Sequence, residues 1–253
     1  MVMSVEIKLI KTPKLKRPHL VCGLPGSGYV GKLAVDHLIK ELKAELFAEV
    51  YSYYFPPHIL IKPDGSIDLI KNELYFWTDT NNSLDLIIYT GDSQPASSEG
   101  DYELADRILS LVRSLGADTV FTFGAYITGS FTLHPKVYVT ATNAELLKTL
   151  QGYDVIITNE GTITGMNGLI LGLAKLRGMK GLCFLGETSG YIIDARASKR
   201  ILEVFTKLLK LDIDLTALEE RAREMEAIIH SFEERQYKPQ ERIDDKSRLG
   251  YIS

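Results

Sequence analysis

Cysteine is nearly absent. The only two, Cys22 and Cys183, each sit inside an apolar, strand-like run, HLVCG and GLCFLG. Such thiols are expected to be buried and free, which suits a reducing cytoplasm, and their placement excludes a zinc site. Long apolar runs are missing too. No stretch approaches 18 uninterrupted apolar residues, so no membrane span is expected. The N-terminus has no apolar core of the secretory kind, so no signal peptide is expected. An excess of basic charge is also lacking. Formal net charge is -4, which argues against a dedicated nucleic-acid binder. The basic cluster Lys8, Lys11, Lys14, Lys16 and Arg17 reads as a solvated edge.

Catalytic spacings are equally sparse. The five histidines, His19, His37, His58, His134 and His230, form no recognisable pair with the serine of Gly91-Asp92-Ser93, and a nucleophile needs a base within reach. Acidic residues and histidines show no EF-hand, HExxH or CxxC spacing, so no metal site is expected. Glu160, Glu187 and Asp194 stand near strand ends or in glycine-rich loops, where a parallel sheet offers its ligand crevice. Carboxylates in loops more commonly cap helices and form turns.

What the chain does have is alternation. Apolar runs at Leu20–Leu24, Leu46–Tyr51, Leu84–Tyr89, Thr119–Phe123, Asp154–Thr158 and Gly181–Leu185 read as strands. Helical spacing predicts helices over Tyr29–Leu42, Tyr102–Leu115, Asn143–Leu150, Met166–Leu176 and Ala197–Leu209. Lys62-Pro63-Asp64-Gly65 predicts a hairpin turn between His58–Ile61 and Ser66–Ile70, with Glu73–Trp77 as an edge strand. The expected architecture is α/β: a three-layer α/β/α sandwich on a mainly parallel sheet. It would span 1–212, followed by an amphipathic helix at 213–237 and a flexible tail at 238–253.

The final helix carries Leu215, Leu218, Ala222, Met225, Ile229 and Phe232 at alternating spacings of three and four. This stripe reads as a coiled-coil arm, an oligomer contact or a helix laid on its own domain. Leu215, Leu218, Met225, Ile229 and Phe232 are the expected oligomer contacts. Beyond Tyr237 the chain turns polar and ends in Leu249-Gly250-Tyr251-Ile252-Ser253, a cluster suited to a pocket on a partner protein.

Gly26-Ser27-Gly28-Tyr29-Val30-Gly31 matches the glycine pattern of a dinucleotide loop, after a strand and opening a helix. The second strand ends without a clear acidic residue. Lys32 follows as in a phosphate loop, but Leu33 stands where a Ser or Thr would hold magnesium. Close helix–sheet packing is the preferred use of these glycines. The alternative is a nucleotide-dependent enzyme with Glu187 or Asp194 as acid or base.

As an ordered set, the loops resemble a known family. They are Gly23-Leu-Pro-Gly26-Ser-Gly28-Tyr-Val-Gly31, Tyr89-Thr-Gly91-Asp92-Ser-Gln94-Pro95, Gly124-Ala-Tyr126-Ile-Thr-Gly129, Gly161-Thr-Ile-Thr-Gly165-Met-Asn167-Gly168 and Gly186-Glu187-Thr188-Ser-Gly190-Tyr191. In that order the chain resembles the archaeal branch of the proteasome assembly chaperone family, over roughly residues 18 to 210. The resemblance implies a phosphorylase-like α/β/α core without catalytic residues or a cofactor, a cytoplasmic homo-oligomer, and binding to proteasome α-subunits. A scaffold pairing with a paralogous chaperone is the runner-up. Some relatives end in a hydrophobic–Tyr–any residue signature that docks between α-subunits. Here Tyr251 is third from the end and Gly250 holds the hydrophobic place. One residue of shift moves the terminal carboxylate by up to about 3.5 Å relative to the ring.

Overall fold

Nine strands form one sheet in the order β1-β3-β6-β7-β2-β8-β11-β9-β10. The computed structural model describes residues 4–79 and 84–237, of which 228–237 by backbone alone. Its strands are β1 (Val5–Leu9), β2 (His19–Cys22), β3 (Glu45–Ser52), β4 (Ile59–Ile61), β5 (Ile67–Leu69), β6 (Asn72–Thr78), β7 (Asp85–Gly91), β8 (Thr119–Ile127), β9 (Val137–Ala141), β10 (Ile156–Ile157) and β11 (Lys180–Thr188). Its helices are α1 (Val30–Leu42), α2 (Ser98–Ser114), α3 (Ala144–Lys148), α4 (Gly165–Leu176), α5 (Ala195–Leu209) and α6 (Thr216–Tyr237).

The centre of the sheet, β7-β2-β8-β11, is parallel throughout. Antiparallel pairing enters on the flanks, through β6, β3 and β1 on one side and β9 on the other. All seven residues of β7 are buried, and they serve two cores in alternation. Ile87 and Tyr89 pack with Leu104 and Ile108 of α2 and Ile170 of α4. Leu86 and Ile88 pack with Leu38 of α1 and Ile201 and Phe205 of α5. A strand buried on both faces between helical layers is the three-layer α/β/α sandwich the alternation predicts. Phe205 anchors the second core, with its ring 4.9 Å from Phe123 and 5.2 Å from Phe121, both edge-on.

Several expectations are corrected. The run at Glu73–Trp77 is no edge strand: β6 pairs with β3 on one side and β7 on the other. The edge on that side is β1, an amphipathic strand among lysines. Helix α2 begins at Ser98 rather than Tyr102, because the Ser97 hydroxyl accepts a hydrogen bond from the Gly100 amide and caps it earlier. The strand expected at Asp154–Thr158 shrinks to the two residues of β10. The turn at Lys62–Gly65 and the Asn143 cap of α3 form as read.

Helix α6 lies on its own domain. Leu218 and Ala222 are buried in the core beside α5, and Leu215 packs against it. Ion pairs Lys199–Glu219 and Arg196–Glu226 tie the two helices together. The imidazole of His37 meets the carbonyl of Asp214 at 2.6 Å, fixing the turn into α6. Leu218 is therefore packed within its own chain and Leu215 is half-buried beside it, as in the reading of the stripe as a helix laid on its own domain. Met225 is half-buried, and the side chains of Ile229 and Phe232 lie outside those described. Residues 238–253, with the expected contacts Leu249, Gly250, Tyr251, Ile252 and Ser253, also lie outside the described residues.

Candidate functional site

The four central parallel strands end on one side of the sheet, and the glycine-rich loops gather there. Between them lies an open crevice of about 630 Å³, walled by Gly26, Ser27, Gln94, Tyr126, Glu160 and Asn167 among others. This is the side on which open α/β sheets place their ligands. The loop entering α1 turns sharply: Gly28 has φ 63° and Tyr29 has φ 52°, and the Tyr29 amide donates to the Gly26 carbonyl at 2.9 Å. A Cβ on Gly28 would add strain where only glycine is at ease.

Two other glycines serve close approach. A Cβ on Gly23 would stand 2.2 Å from the Gly31 carbonyl oxygen, and one on Gly31 only 2.1 Å from that of Phe123. The backbone of α1 thus rests directly on β2 and β8. Gly23 and Gly31 serve helix–sheet packing and Gly28 serves the turn, while Gly26 lines the crevice.

Gln94 joins two walls of the crevice. Its side-chain amide donates to the Pro25 carbonyl at 2.5 Å and its oxygen accepts from the Met166 amide at 2.8 Å. Asn167 in turn donates to the Phe123 carbonyl at 2.7 Å. Neither residue stood out in the sequence, although both lie inside quoted glycine motifs. Their signal was the amide side chain beside glycines at strand and helix ends.

The candidate chemical groups have other employment. Lys32 pairs with Asp36 of its own helix at 2.6 Å, and Thr90 donates to the same carboxylate at 3.0 Å. Asp194, almost wholly buried, caps α5 by accepting from the Ala197 amide at 2.9 Å, while its own amide donates to the Gly28 carbonyl. Glu187 accepts from the Lys136 amide at 3.0 Å. The Ser93 hydroxyl donates to the Gln94 carbonyl. Among the described residues lining the crevice, Glu160 is the one carboxylate, and none is a lysine, arginine or histidine.

Two histidines, His19 and His37, hold structural posts. His19 stacks edge-on against Phe121 at 5.7 Å, and burial keeps its pKa below the usual imidazole range. His58 and His134 are exposed. Both thiols are buried: desolvation pushes Cys183 up to about 12, and Cys22 is raised further by the same cause. No three His, Cys, Asp or Glu side chains converge among the described residues. No helix among them is long and apolar enough to cross a membrane.

Comparison with known proteins places this arrangement. The chain is 38% identical to an uncharacterized protein of Methanocaldococcus jannaschii, covering 100% of this chain and 98% of that one. Among solved structures it is similar to Pyrococcus furiosus PbaB, described as an archaeal proteasome activator, with 41% identity and a TM-score of 0.86 over 91% of this chain and 99% of that one. It is also similar to Pyrococcus furiosus PbaA, described as an archaeal homolog of proteasome-assembly chaperone, with 29% identity and a TM-score of 0.76 over 92% and 93%. The PAC2 family model matches residues 20–233. The chain belongs to the PAC2 family, with the fold of its archaeal proteasome-assembly-chaperone homologues.

Proposed function

We propose that this protein is a non-catalytic, ATP-independent assembly factor of the cytoplasm. It self-associates and binds proteasome α-subunits, with the C-terminal tail around Tyr251 as the docking element. The observation that carries the reading is similarity to PbaB and PbaA over nine-tenths of the chain. The site agrees with it. Lys32, Glu187 and Asp194, the residues an enzyme would use, are engaged by Asp36, the Lys136 amide and the α5 terminus. Several tails on one oligomer would gain avidity where their spacing matches the partner ring.

A second reading is favoured by one observation. Of the two Pyrococcus proteins, the chain is more similar to PbaB, described as a proteasome activator, than to PbaA. An activator acts on the finished particle, whereas an assembly factor acts on free subunits. Adding the protein to purified α-subunits and, separately, to assembled 20S particles discriminates the two. Faster ring formation with unchanged peptide hydrolysis supports the assembly factor. Raised hydrolysis with no effect on ring formation supports the activator.

A further inference from the structure

The basic cluster before β2 gains neighbours from distant parts of the chain. Lys16 and Arg17 lie at the end of the sheet opposite the crevice, where the central parallel strands begin and α2 and α4 end. His19, Thr119 and Lys180 stand in register across β2, β8 and β11, so the His19 and Lys180 backbones are about 10 Å apart. The Lys16 amide donates to Asp85 at 2.6 Å, at the start of β7. A Cβ on Gly116, just past α2, would stand 3.9 Å from the Pro18 ring. Arg113 of α2 donates to the Arg177 carbonyl at 2.7 Å. These contacts bring Lys16, Arg17, Arg113, Lys175, Arg177 and Lys180 onto one patch.

The carboxylates beside them are already engaged: Asp85 by the Lys16 amide, Asp106 by Arg177 and Asp118 by the Thr119 hydroxyl. Lys16, Arg17, Lys175 and Lys180 make no ion pair among the described residues. Arg113 and Lys175 close α2 and α4, where a cation meets the helix dipole. Lys16, Arg17 and Lys180 lie on no helix, so the dipole does not account for them. Arg17 also takes φ 44°, a left-handed conformation that costs a residue with a Cβ. Between Lys175 and Arg177 stands Leu176, 81% exposed. The buried residues of α4 are Met166, Ile170, Leu171 and Ala174, and Leu176 takes no part in that packing.

We propose that this patch docks an acidic segment of a partner protein. An apolar residue of that segment sits on Leu176, and its carboxylates meet Lys16, Arg17 and Lys180. The chain as a whole carries a formal charge of -4, so the cations are a local feature that steers an acidic partner to this end of the sheet. Within 14–18, 113–119 and 175–180, Leu176 is the one exposed large apolar side chain. No exposed aromatic ring stands there to stack on a base, which favours a protein segment over a nucleic acid. The patch is distinct from the crevice and from the C-terminal tail, and it does not depend on the α-subunit reading.

Fluorescence anisotropy of a short labelled peptide, one leucine among glutamates, tests this with the full chain. The wild type should bind it, and more weakly as salt rises. Arg17→Glu/Lys180→Glu should weaken binding by about tenfold, and Leu176→Ser by about threefold. Lys136→Glu, at an exposed lysine before β9 at the other end of the sheet, should bind as the wild type does. Circular dichroism checks the fold of each variant. A wild type that ignores the peptide overturns the proposal, and so does a double variant that binds as well as Lys136→Glu. Equal binding of a peptide with serine in place of leucine overturns the Leu176 anchor and leaves a surface for any polyanion. A single-stranded oligothymidylate that binds more tightly than the peptide overturns the choice of a protein partner and assigns the patch to nucleic acid.

Discussion

The side-chain amide nitrogen of Gln94 lies 2.5 Å from the carbonyl oxygen of Pro25, and this one contact holds the glycine loop against the β7 end of the crevice. The other end of the same side chain accepts from the Met166 amide in the first turn of α4. One residue thus ties together two of the loops that carry the family resemblance. Gln94→Ala should cost about 1–2 kcal/mol by leaving a partly buried donor and acceptor unmatched. That corresponds to a fall in Tm of roughly 2–8 °C for a chain of this size. Gln94→Glu should be no milder, since a carboxylate then faces the Pro25 carbonyl. Differential scanning calorimetry checks both, and an unchanged Tm would contradict the bridging role.

The glycines divide into those that touch backbone and those that do not. Gly31→Ala places a methyl 2.1 Å from the Phe123 oxygen, so α1 must lift from the sheet. A loss of about 3 kcal/mol or more is expected. Gly172 lies within α4, and a methyl there would have nothing within 4 Å, so Gly172→Ala should gain roughly 0.5–1 kcal/mol. Urea denaturation of the pair measures the contrast, and equal effects would refute the packing account of the motif.

Helix α6 is bound to its own domain through Leu218 and Ala222. Leu218→Ala should destabilise by about 2–4 kcal/mol. Met225→Ala, at a half-buried position, should cost less. The Leu218→Ala loss should be the same at low and high protein concentration, because the contact is within one chain. A loss that appears only at high concentration would restore the intermolecular stripe.

Both thiols should resist modification. The raised pKa of Cys183, about 12, leaves almost no thiolate at pH 7–8, and the thiolate is the reactive form. Ellman's reagent should titrate neither cysteine in the native protein and both after denaturation. Rapid native reaction at either would mean that the strand around it opens.

Much of the fold was legible because its signals are local. Leu84–Tyr89 announced a buried strand by continuous apolarity, and Lys62–Gly65 announced its turn by residue chemistry. Strands β1 and β9 were missed for a shared reason. Val5–Leu9 alternates apolar residues with glutamate and lysine at a sheet edge, and Val137–Ala141 follows a proline loop and alternates its apolar residues with tyrosine and threonine. Their strand state is set by partners distant in sequence, β3 for one and β11 for the other. The position of β6 is likewise a matter of pairing that its own residues do not state. At the crevice, the glycines were readable and the amides of Gln94 and Asn167 were not, because their roles exist only once three loops meet. The final stripe showed its period but not its target, since an apolar stripe reads alike whether it meets α5 or a second copy.

The most direct test of the account is binding of proteasome α-subunits, followed by light scattering on mixtures with the full chain, the chain ending at Tyr237, and Tyr251→Ala. The account predicts a defined complex with the full chain and at least tenfold weaker binding by the other two, with no nucleotide required. A full chain that ignores α-subunits would contradict it.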